Sequence, residues 1–350
     1  MTAGNALARD LDAVLARTES LWDALRGERV LLTGGTGFYG CWLLETFAWA
    51  NDRLALGASA AVLTRRPDVF AAKVPHLAHH RAVRLIAGDV RTFAHDEPFA
   101  YVIHAAAEST ARLYEDRPLE MFDVIVGGTA HVLDVARRAN ARGVLLASSG
   151  AVYGPQPAAL LRIPESYDGA PDCTDPRWAY GEAKRAAEMA GVLAMQSGGP
   201  PVTIARGFAF VGPYLRIDTH FAVGNFMRDK LAGRPIHVDG DGTPLRSYLY
   251  AADLSAWLWT ILLRGVPLHP YNVGSPDPIS VGELANVVAG AGEPYVPVTI
   301  AGRPQPAQPK ARYVPDVSRA RDELGLEVTV GIEEAIQRTL AWHRASSRLR

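Results

Sequence analysis

Tyr180 and Lys184 stand four positions apart in the run Tyr180-Gly181-Glu182-Ala183-Lys184. On a helix that spacing puts both side chains on one face. A lysine ammonium beside a phenol favours the phenolate and lowers a pKa that is ordinarily near 10. The phenol then becomes a proton donor and acceptor usable near neutral pH. Such a pair is common by itself. It gains meaning from Ser149, 31 residues upstream in Ser148-Ser149-Gly150-Ala151-Val152-Tyr153-Gly154. The apolar run Val144–Ser148 reads as a strand, so Ser149 falls at a strand end. A hydroxyl there can donate to a carbonyl or alkoxide oxygen as the charge on that oxygen changes.

These groups need a scaffold, and the chain alternates strand-like and helix-like segments from Arg29 onward. Short apolar runs recur at Val30–Thr33, Ala61–Thr64, Val83–Ala87, Tyr101–Ala105, Val144–Ser148 and Val202–Arg206. Amphipathic stretches such as Met121–Ala141 and Tyr180–Met195 lie between several of them. Alternation of this kind predicts an α/β fold, a Rossmann-type doubly wound parallel sheet with both faces covered. A smaller C-terminal substrate-binding domain is expected beyond it. The expected partition is a helical extension over residues 1–28, a dinucleotide-binding domain over 29–205, and a mainly substrate-binding part over 206–350, which the family resemblance given below implies to interleave with the first. Residues 5–26 carry apolar positions at mostly helical spacing and predict a helix packed on the main body. The proline-rich segments 155–176 and 294–315 are expected to be irregular loops. Trp257 and Trp259 predict a buried or interfacial helix.

The first strand leads into Gly34-Gly35-Thr36-Gly37-Phe38-Tyr39-Gly40, and a helical stretch follows. Gly34 permits a tight turn, Gly37 lets backbone approach a pyrophosphate, and Gly40 lets helix and strand pack closely. The helix N-terminus offers N–H groups and a positive dipole end to the anion. Strand, glycine turn and helix in that order predict dinucleotide binding. Lys184 is then also able to bond a nicotinamide ribose. After the second strand come Arg65 and Arg66, with no carboxylate until Asp68. An acidic residue there suits a ribose 2′-hydroxyl, whereas arginine suits a 2′-phosphate. NADP(H) is therefore favoured and NAD(H) is possible. Asp89 and Val90 follow the third strand, where Asp89 can reach an adenine edge or cap the strand.

Composition excludes other classes. Apolar residues are 48% and charged residues 21%, which is ordinary for a globular chain and not for a disordered one. Lysine plus arginine number 36 against 37 aspartate plus glutamate, so no basic footprint argues for nucleic acid. Cys41 and Cys173 cannot make a disulfide framework or a cysteine-rich zinc site. The apolar run Leu254–Leu263 is too short to span a bilayer. No metal, nucleic acid or membrane is expected, and the expected location is the cytoplasm. His104, His220 and His343 lie in unrelated segments without metal-ligand spacing. His104 is expected to be a packed or hydrogen-bonded histidine. The glycine turn lacks the lysine of an ATPase loop, and Gly-x-Ser-x-Gly is absent.

The glycine turn, His104-Ala105-Ala106-Ala107, Ser149 ahead of Val152-Tyr153-Gly154, and Tyr180-x-x-x-Lys184 together resemble the extended short-chain dehydrogenase/reductases. More narrowly they resemble the nucleotide-sugar epimerase/dehydratase group. The resemblance runs from about residue 29 to 342 and includes Arg206, Gly212-Pro213, Asn225-Phe226, Arg246-Ser247-Tyr248, Tyr271-Asn272-Val273-Gly274 and Arg312. It implies a catalytic set of Ser149, Tyr180 and Lys184. It implies a cofactor held by Gly34, Gly37, Phe38, Tyr39, Gly40, Arg65, Arg66, Asp89, Val90, Ala105, Ala106 and Ala107, with Tyr180 and Lys184. Ser149, Asn225, Arg246 and Arg312 are implied to hold a nucleotide-diphosphate sugar, and arginines grip phosphate through charge-assisted bonds. A homodimer is expected. Two departures stand out. The group's dehydratases carry an Asp-Glu pair after the serine or threonine, where this chain has Gly150 and Ala151. The group's usual acidic residue after the second strand is missing. The implied reaction is hydride transfer at a sugar carbon, ending in epimerisation or in reduction of a 4-keto sugar. The alternatives are dehydration by a different acid, or a non-catalytic dinucleotide sensor or scaffold that kept the fold.

Overall fold

The computed structural model of this chain describes residues 5–95, 97–106, 116–217, 221–304 and 310–348. Seven strands form one sheet: β1 (Arg29–Thr33), β2 (Ser59–Thr64), β3 (Val83–Ala87), β4 (Tyr101–His104), β5 (Gly143–Ser149), β6 (Val202–Gly207) and β7 (Pro270–Val273). Their spatial order is β7-β6-β5-β4-β1-β2-β3. Every pair from β3 across to β6 is parallel. This is the Rossmann-type sheet expected from the alternation of apolar runs. The strands are short and nearly continuous in apolar residues because helices cover both faces. The order reverses at β1, so the ends of β1 and β4 open a crevice where ligands of such sheets bind.

The chain divides into two compact units. The first comprises residues 1–152, 171–207 and 255–271, and the second 153–170, 208–254 and 272–350. Relative to a linear partition, the N-terminal extension clusters with the first unit and the segment 153–170 with the second. In the first unit, α1 (Ala8–Thr18) gives way to a 3-10 turn over Glu19–Leu25, so the apolar stretch 5–26 is not one helix. Thr18 sits at the change: its hydroxyl donates to the Val14 carbonyl and accepts from Trp22 Nε1. The turn seats Trp22, fully buried, at 5.1 Å from Trp259. Trp257 and Trp259 lie on the buried helix Ala251–Arg264, as their spacing predicts.

The helix that carries the glycine turn, α2 (Phe38–Arg53), is buried almost all round. The helices α3 (Pro118–Arg138) and α4 (Ala179–Gln196) pack through Met121 and Ile125 of one and Ala183 and Ala187 of the other. Alanines on α4 allow close approach, which fixes the face on which Tyr180 and Lys184 stand.

In the second unit the strand Leu245–Arg246 pairs antiparallel with Ile279–Ser280 and parallel with Arg312–Tyr313. Val298–Ile300 pairs parallel with Ile236–Val238. The segment 294–315 is therefore not wholly irregular. Its prolines flank a Val-Thr-Ile run whose β-branched residues suit a strand. The segment 155–170 has no regular element but is firmly tied. Gln156 Oε1 accepts from Val314 N–H, and Asn272 Nδ2 donates to the Ile163 and Asp316 carbonyls. Asn272 Oδ1 accepts from the Tyr153 hydroxyl, and Asn272 N–H donates to Glu165. One buried asparagine thus joins four pieces of chain, including the segment that bears Arg312.

Candidate functional site

Gly34 takes φ +73°, a left-handed conformation, and a Cβ there would lie 2.4 Å from the Ala105 carbonyl oxygen. Only glycine allows the end of β1 to touch the end of β4. A Cβ on Gly40 would lie 2.2 Å from the Gly35 Cα, so Gly40 serves close packing within the turn. Gly37 differs: a Cβ there would meet only the Gly34 oxygen, at 3.4 Å. It is exposed, and it is the N-cap of α2 without a side-chain cap. The protein interior does not require glycine at 37, whereas a phosphate resting on the helix N-terminus does. The cradle fits a dinucleotide. Phe38 and Tyr39, half-buried, open the helix beside it.

Arg65 and Arg66 follow β2 directly and are exposed. Asp89 is engaged by its own loop. Its carboxylate accepts from Arg91 N–H, Nε and Nη2 at 2.8–2.9 Å. These bonds hold its pKa down at about 2, and the Arg65 charge acts in the same direction. Arg91 also reaches Asp123 of α3 at 2.7 Å. Val90 is buried against Gly128, where a Cβ would come within 2.8 Å. Ala105 and Ala106 lie half-buried after β4, with Ala105 N–H donating to the Thr33 carbonyl. Ala107 and His220 lie outside the described residues.

Ser149 closes β5 opposite Gly207 and is buried. Its oxygen accepts from Ala151 N–H at 3.1 Å, an acceptor role that leaves the hydroxyl hydrogen to donate elsewhere. Lys184 is buried on α4 and donates to the Ala147 carbonyl at 2.8 Å. Burial pushes its pKa down to about 8, against an opposing pull from Glu188. Its Nζ stands 5.9 Å from the centroid of the half-buried Tyr180 ring. The structure therefore brings Tyr180 and Lys184 together on one helix face, and Lys184 reaches the strand that ends in Ser149.

His104 is the packed histidine its position suggests. Thr129 donates to the Ile125 carbonyl, so it accepts from His104 Nε2 at 3.0 Å. His104 Nδ1 is then an acceptor for Thr33 at 2.7 Å. Burial holds the ring neutral, with a pKa of about 3. His343 is partly buried on the C-terminal helix, and burial lowers its pKa as well.

In the second unit Arg246 and Arg312 are brought to neighbouring parallel strands, with Arg312 paired to Leu245 and Tyr313 to Arg246. Both arginines are half-buried, and Arg246 Nη1 donates to the Leu245 carbonyl. Asn225 lies on the helix Ala222–Leu231, its Oδ1 accepting from Arg228. Gly150 and Ala151 begin a 3-10 turn over Gly150–Tyr153 and bring no ionisable group after Ser149.

A model of the NAD dependent epimerase/dehydratase family matches residues 30–274. The chain belongs to that family. UDP-glucuronic acid decarboxylase 1 of Arabidopsis thaliana is 30% identical over 319 residues, covering 89% of this chain and 69% of that protein. Among solved structures, UDP-glucose 4-epimerase of Thermus thermophilus in complex with NAD matches with TM-score 0.73 at 26% identity, covering 91% of this chain and 99% of the other. MoeE5 in complex with UDP-glucuronic acid and NAD matches with TM-score 0.72 at 25% identity, again over 91% and 99%.

Two groups in this epimerase/dehydratase-family chain escape a reading of the sequence alone. Arg91 binds Asp89, and a local Asp-x-Arg pattern was the available signal. Glu188 is buried on α4, where it binds Ser148 Oγ and Arg206. Its signal was the four-residue step from Lys184.

Proposed function

We propose that this family member modifies a nucleotide-diphosphate sugar by NAD(P)-dependent hydride transfer, as an epimerase or a 4-ketoreductase. The observation that carries the reading is the joint placement of a buried Lys184 under Tyr180 and of Ser149 with a donatable hydrogen at the end of β5. Tyr180 as phenolate takes the proton of a sugar hydroxyl while the adjoining carbon is oxidised, and returns it on reduction. Ser149 donates to the same oxygen. Lys184 supplies the positive charge that keeps the phenolate accessible. When bound at the glycine turn, the dinucleotide supplies the hydride acceptor and donor. Gly150 and Ala151 offer no acid or base, which argues against water elimination by the group's usual pair.

The relatives suggest a uridine nucleotide, since the Arabidopsis protein is named for UDP-glucuronic acid and the two matched structures for UDP-glucose 4-epimerase and a UDP-glucuronic acid complex. Oxidation at C4 is a shared first step for these chemistries. With a glucuronic acid it creates a β-keto acid, which loses CO2 readily. With a neutral hexose, and with no acid or base at Gly150 and Ala151 to eliminate water, it leaves return of the hydride. Asn225, Arg246 and Arg312 are proposed to hold the diphosphate, NADP(H) to be preferred over NAD(H), and the working assembly to be a homodimer in the cytoplasm. Among the described residues no helix is long and apolar enough to cross a membrane.

The test is incubation of purified protein with UDP-glucose, UDP-glucuronic acid and 4-keto nucleotide sugars, with and without NADH or NADPH. Products are identified by NMR and mass spectrometry. An epimer or a reduced sugar is expected. A pentose with CO2 would redirect the reading to decarboxylation, a 4-keto-6-deoxy sugar would redirect it to dehydration, and no product from any substrate would remove it.

A further inference from the structure

The face of α4 that carries Tyr180 and Lys184 continues, four residues on, to Glu188. This carboxylate is buried, which is costly unless it is paired and fully bonded. It is both. Oε1 accepts from Ser148 Oγ and from Arg206 Nε at 3.0 Å, and Oε2 accepts from Arg206 Nη2 at 2.7 Å. Lys184 meanwhile donates to the carbonyl of Ala147. Successive residues of β5, 147 and 148, are thus each held by α4 just ahead of Ser149.

Resting on the reading of Tyr180 as the proton-transfer group, we propose that Glu188 is a positioning residue that keeps Lys184 in its charged form beneath the phenol. Buried ammonium groups tend to lose their proton, and the Lys184 ammonium donates to a carbonyl, that of Ala147, with no carboxylate bonded to it among the described residues. Side chains four apart on a helix have Cβ atoms about 5–6 Å from one another, close enough for a carboxylate to oppose that loss. The neighbouring groups leave the role to Glu188. On α4 the same face otherwise carries Tyr180, Gly181 and Ala187, while Glu182 and Arg185 stand to its sides and pair with each other at 3.8 Å. From β4 comes His104, held neutral between Thr33 and Thr129. From β5 come the Ala147 carbonyl and the hydroxyls of Ser148 and Ser149. From β6 comes Arg206, whose charge is directed onto Glu188. The nearby α3 presents Met121 and Ile125, while its Glu120 and Asp123 pair with Arg117 and Arg91. Among the described residues, Glu188 is the buried carboxylate on α4, one helical turn from Lys184.

The chain has four lysines, Lys73, Lys184, Lys230 and Lys310, so Lys184 can be followed directly. Full-length protein labelled with 13C-lysine is titrated by NMR, and Lys184 is the signal missing from Lys184→Arg. In Glu188→Gln the Lys184 midpoint is expected to fall by about 1 pH unit or more, the size a close opposite charge produces. Because that variant removes the carboxylate that Arg206 bonds, Glu188→Gln with Arg206→Met is measured alongside, since neutral replacement of a buried pair is often tolerated. There the midpoint is expected to fall less than in Glu188→Gln, because the Arg206 charge, which also disfavours the ammonium, is removed with it. A midpoint within about 0.2 unit of wild type in folded protein overturns the proposal and leaves Glu188 as a packing clamp. No substrate enters this measurement. Its failure therefore does not touch the proposed reaction, whereas failure of the substrate panel removes the purpose of the charge and leaves the measured midpoint as it is.

Discussion

At the scale of single residues the candidate site is a problem of where protons and charges rest. Tyr180→Phe removes the transferable proton and keeps the ring. We expect it to bind cofactor normally and to lose turnover by a factor on the order of 10²–10⁴, measured as kcat beside calorimetric cofactor affinity. Ser149→Ala removes one donor to the reacting oxygen and is expected to cost about 10²–10³ in kcat. Near-wild-type kcat in either variant contradicts the assigned role. Arg65 and Arg66 follow β2 directly and are exposed, a position at which arginine suits a 2′-phosphate. One charge-assisted bond contributes about 1.5–3 kcal/mol, or roughly 10- to 150-fold in affinity, and solvent exposure reduces it. Titration with both cofactors is expected to favour NADP(H), and Arg65→Ala with Arg66→Ala to erase that preference. Equal affinities in the parent chain would assign both arginines to solvent. His104 makes a different prediction. Its pKa is near 6.5 when unfolded and about 3 when folded. As pH falls from 6.5 toward 3, the unfolded chain gains a proton that the folded chain refuses, so stability declines. The slope is about 1.4 kcal/mol per pH unit for one such group. Denaturant unfolding at pH 7, 5.5 and 4.5 is expected to show a shallower decline in His104→Gln, and an equal slope would contradict it.

At the scale of elements, the three glycines of the β1–α2 turn do separable jobs. Gly40→Ala drives a Cβ into the Gly35 backbone, which cannot yield as a flexible side chain would. A substitution at Gly37 meets little within the chain. We expect Gly40→Ala to lower Tm markedly and Gly37→Ala to leave Tm within a few degrees while weakening cofactor binding. If both variants lose Tm alike, the turn is purely structural. The same reasoning explains the second unit. Its strands are two or three residues long and would be marginal by themselves. Asn272 and the capping box of Ser280 and Glu283 supply the bonds that short ladders lack.

At the scale of the molecule, the N-terminal extension belongs to the core of the first unit. Leu11, Val14, Trp22 and Leu25 are all buried, and Trp22 lies against Trp259. Trp49 Nε1 bonds Asp12, and Arg264 bonds Ser20. Truncating a large buried aromatic costs about 3–5 kcal/mol. Trp22→Ala is therefore expected to destabilise the protein by that order in denaturant unfolding, without altering the chemistry of the folded fraction. A loss below about 1 kcal/mol would mean that the extension is loosely held.

Much of this was legible in the residues themselves. The doubly wound sheet followed from apolar runs separated by helical spacing, because buried parallel strands must be apolar on both faces. The glycine turn and the Tyr180–Lys184 pair were legible because both depend on spacing along one local element. The family, too, was carried by local motifs. Tertiary structure decided what depends on partners distant in sequence. It broke the N-terminal helix at Thr18, drew two strands out of a proline-rich segment, and assigned the hydrogen-bonding roles of His104 through Thr33 and Thr129. It also placed a carboxylate behind Lys184. A sequence records that Glu188 is four residues from Lys184, but only the packing of α4 against β5 and β6 buries that charge and binds it to Ser148 and Arg206.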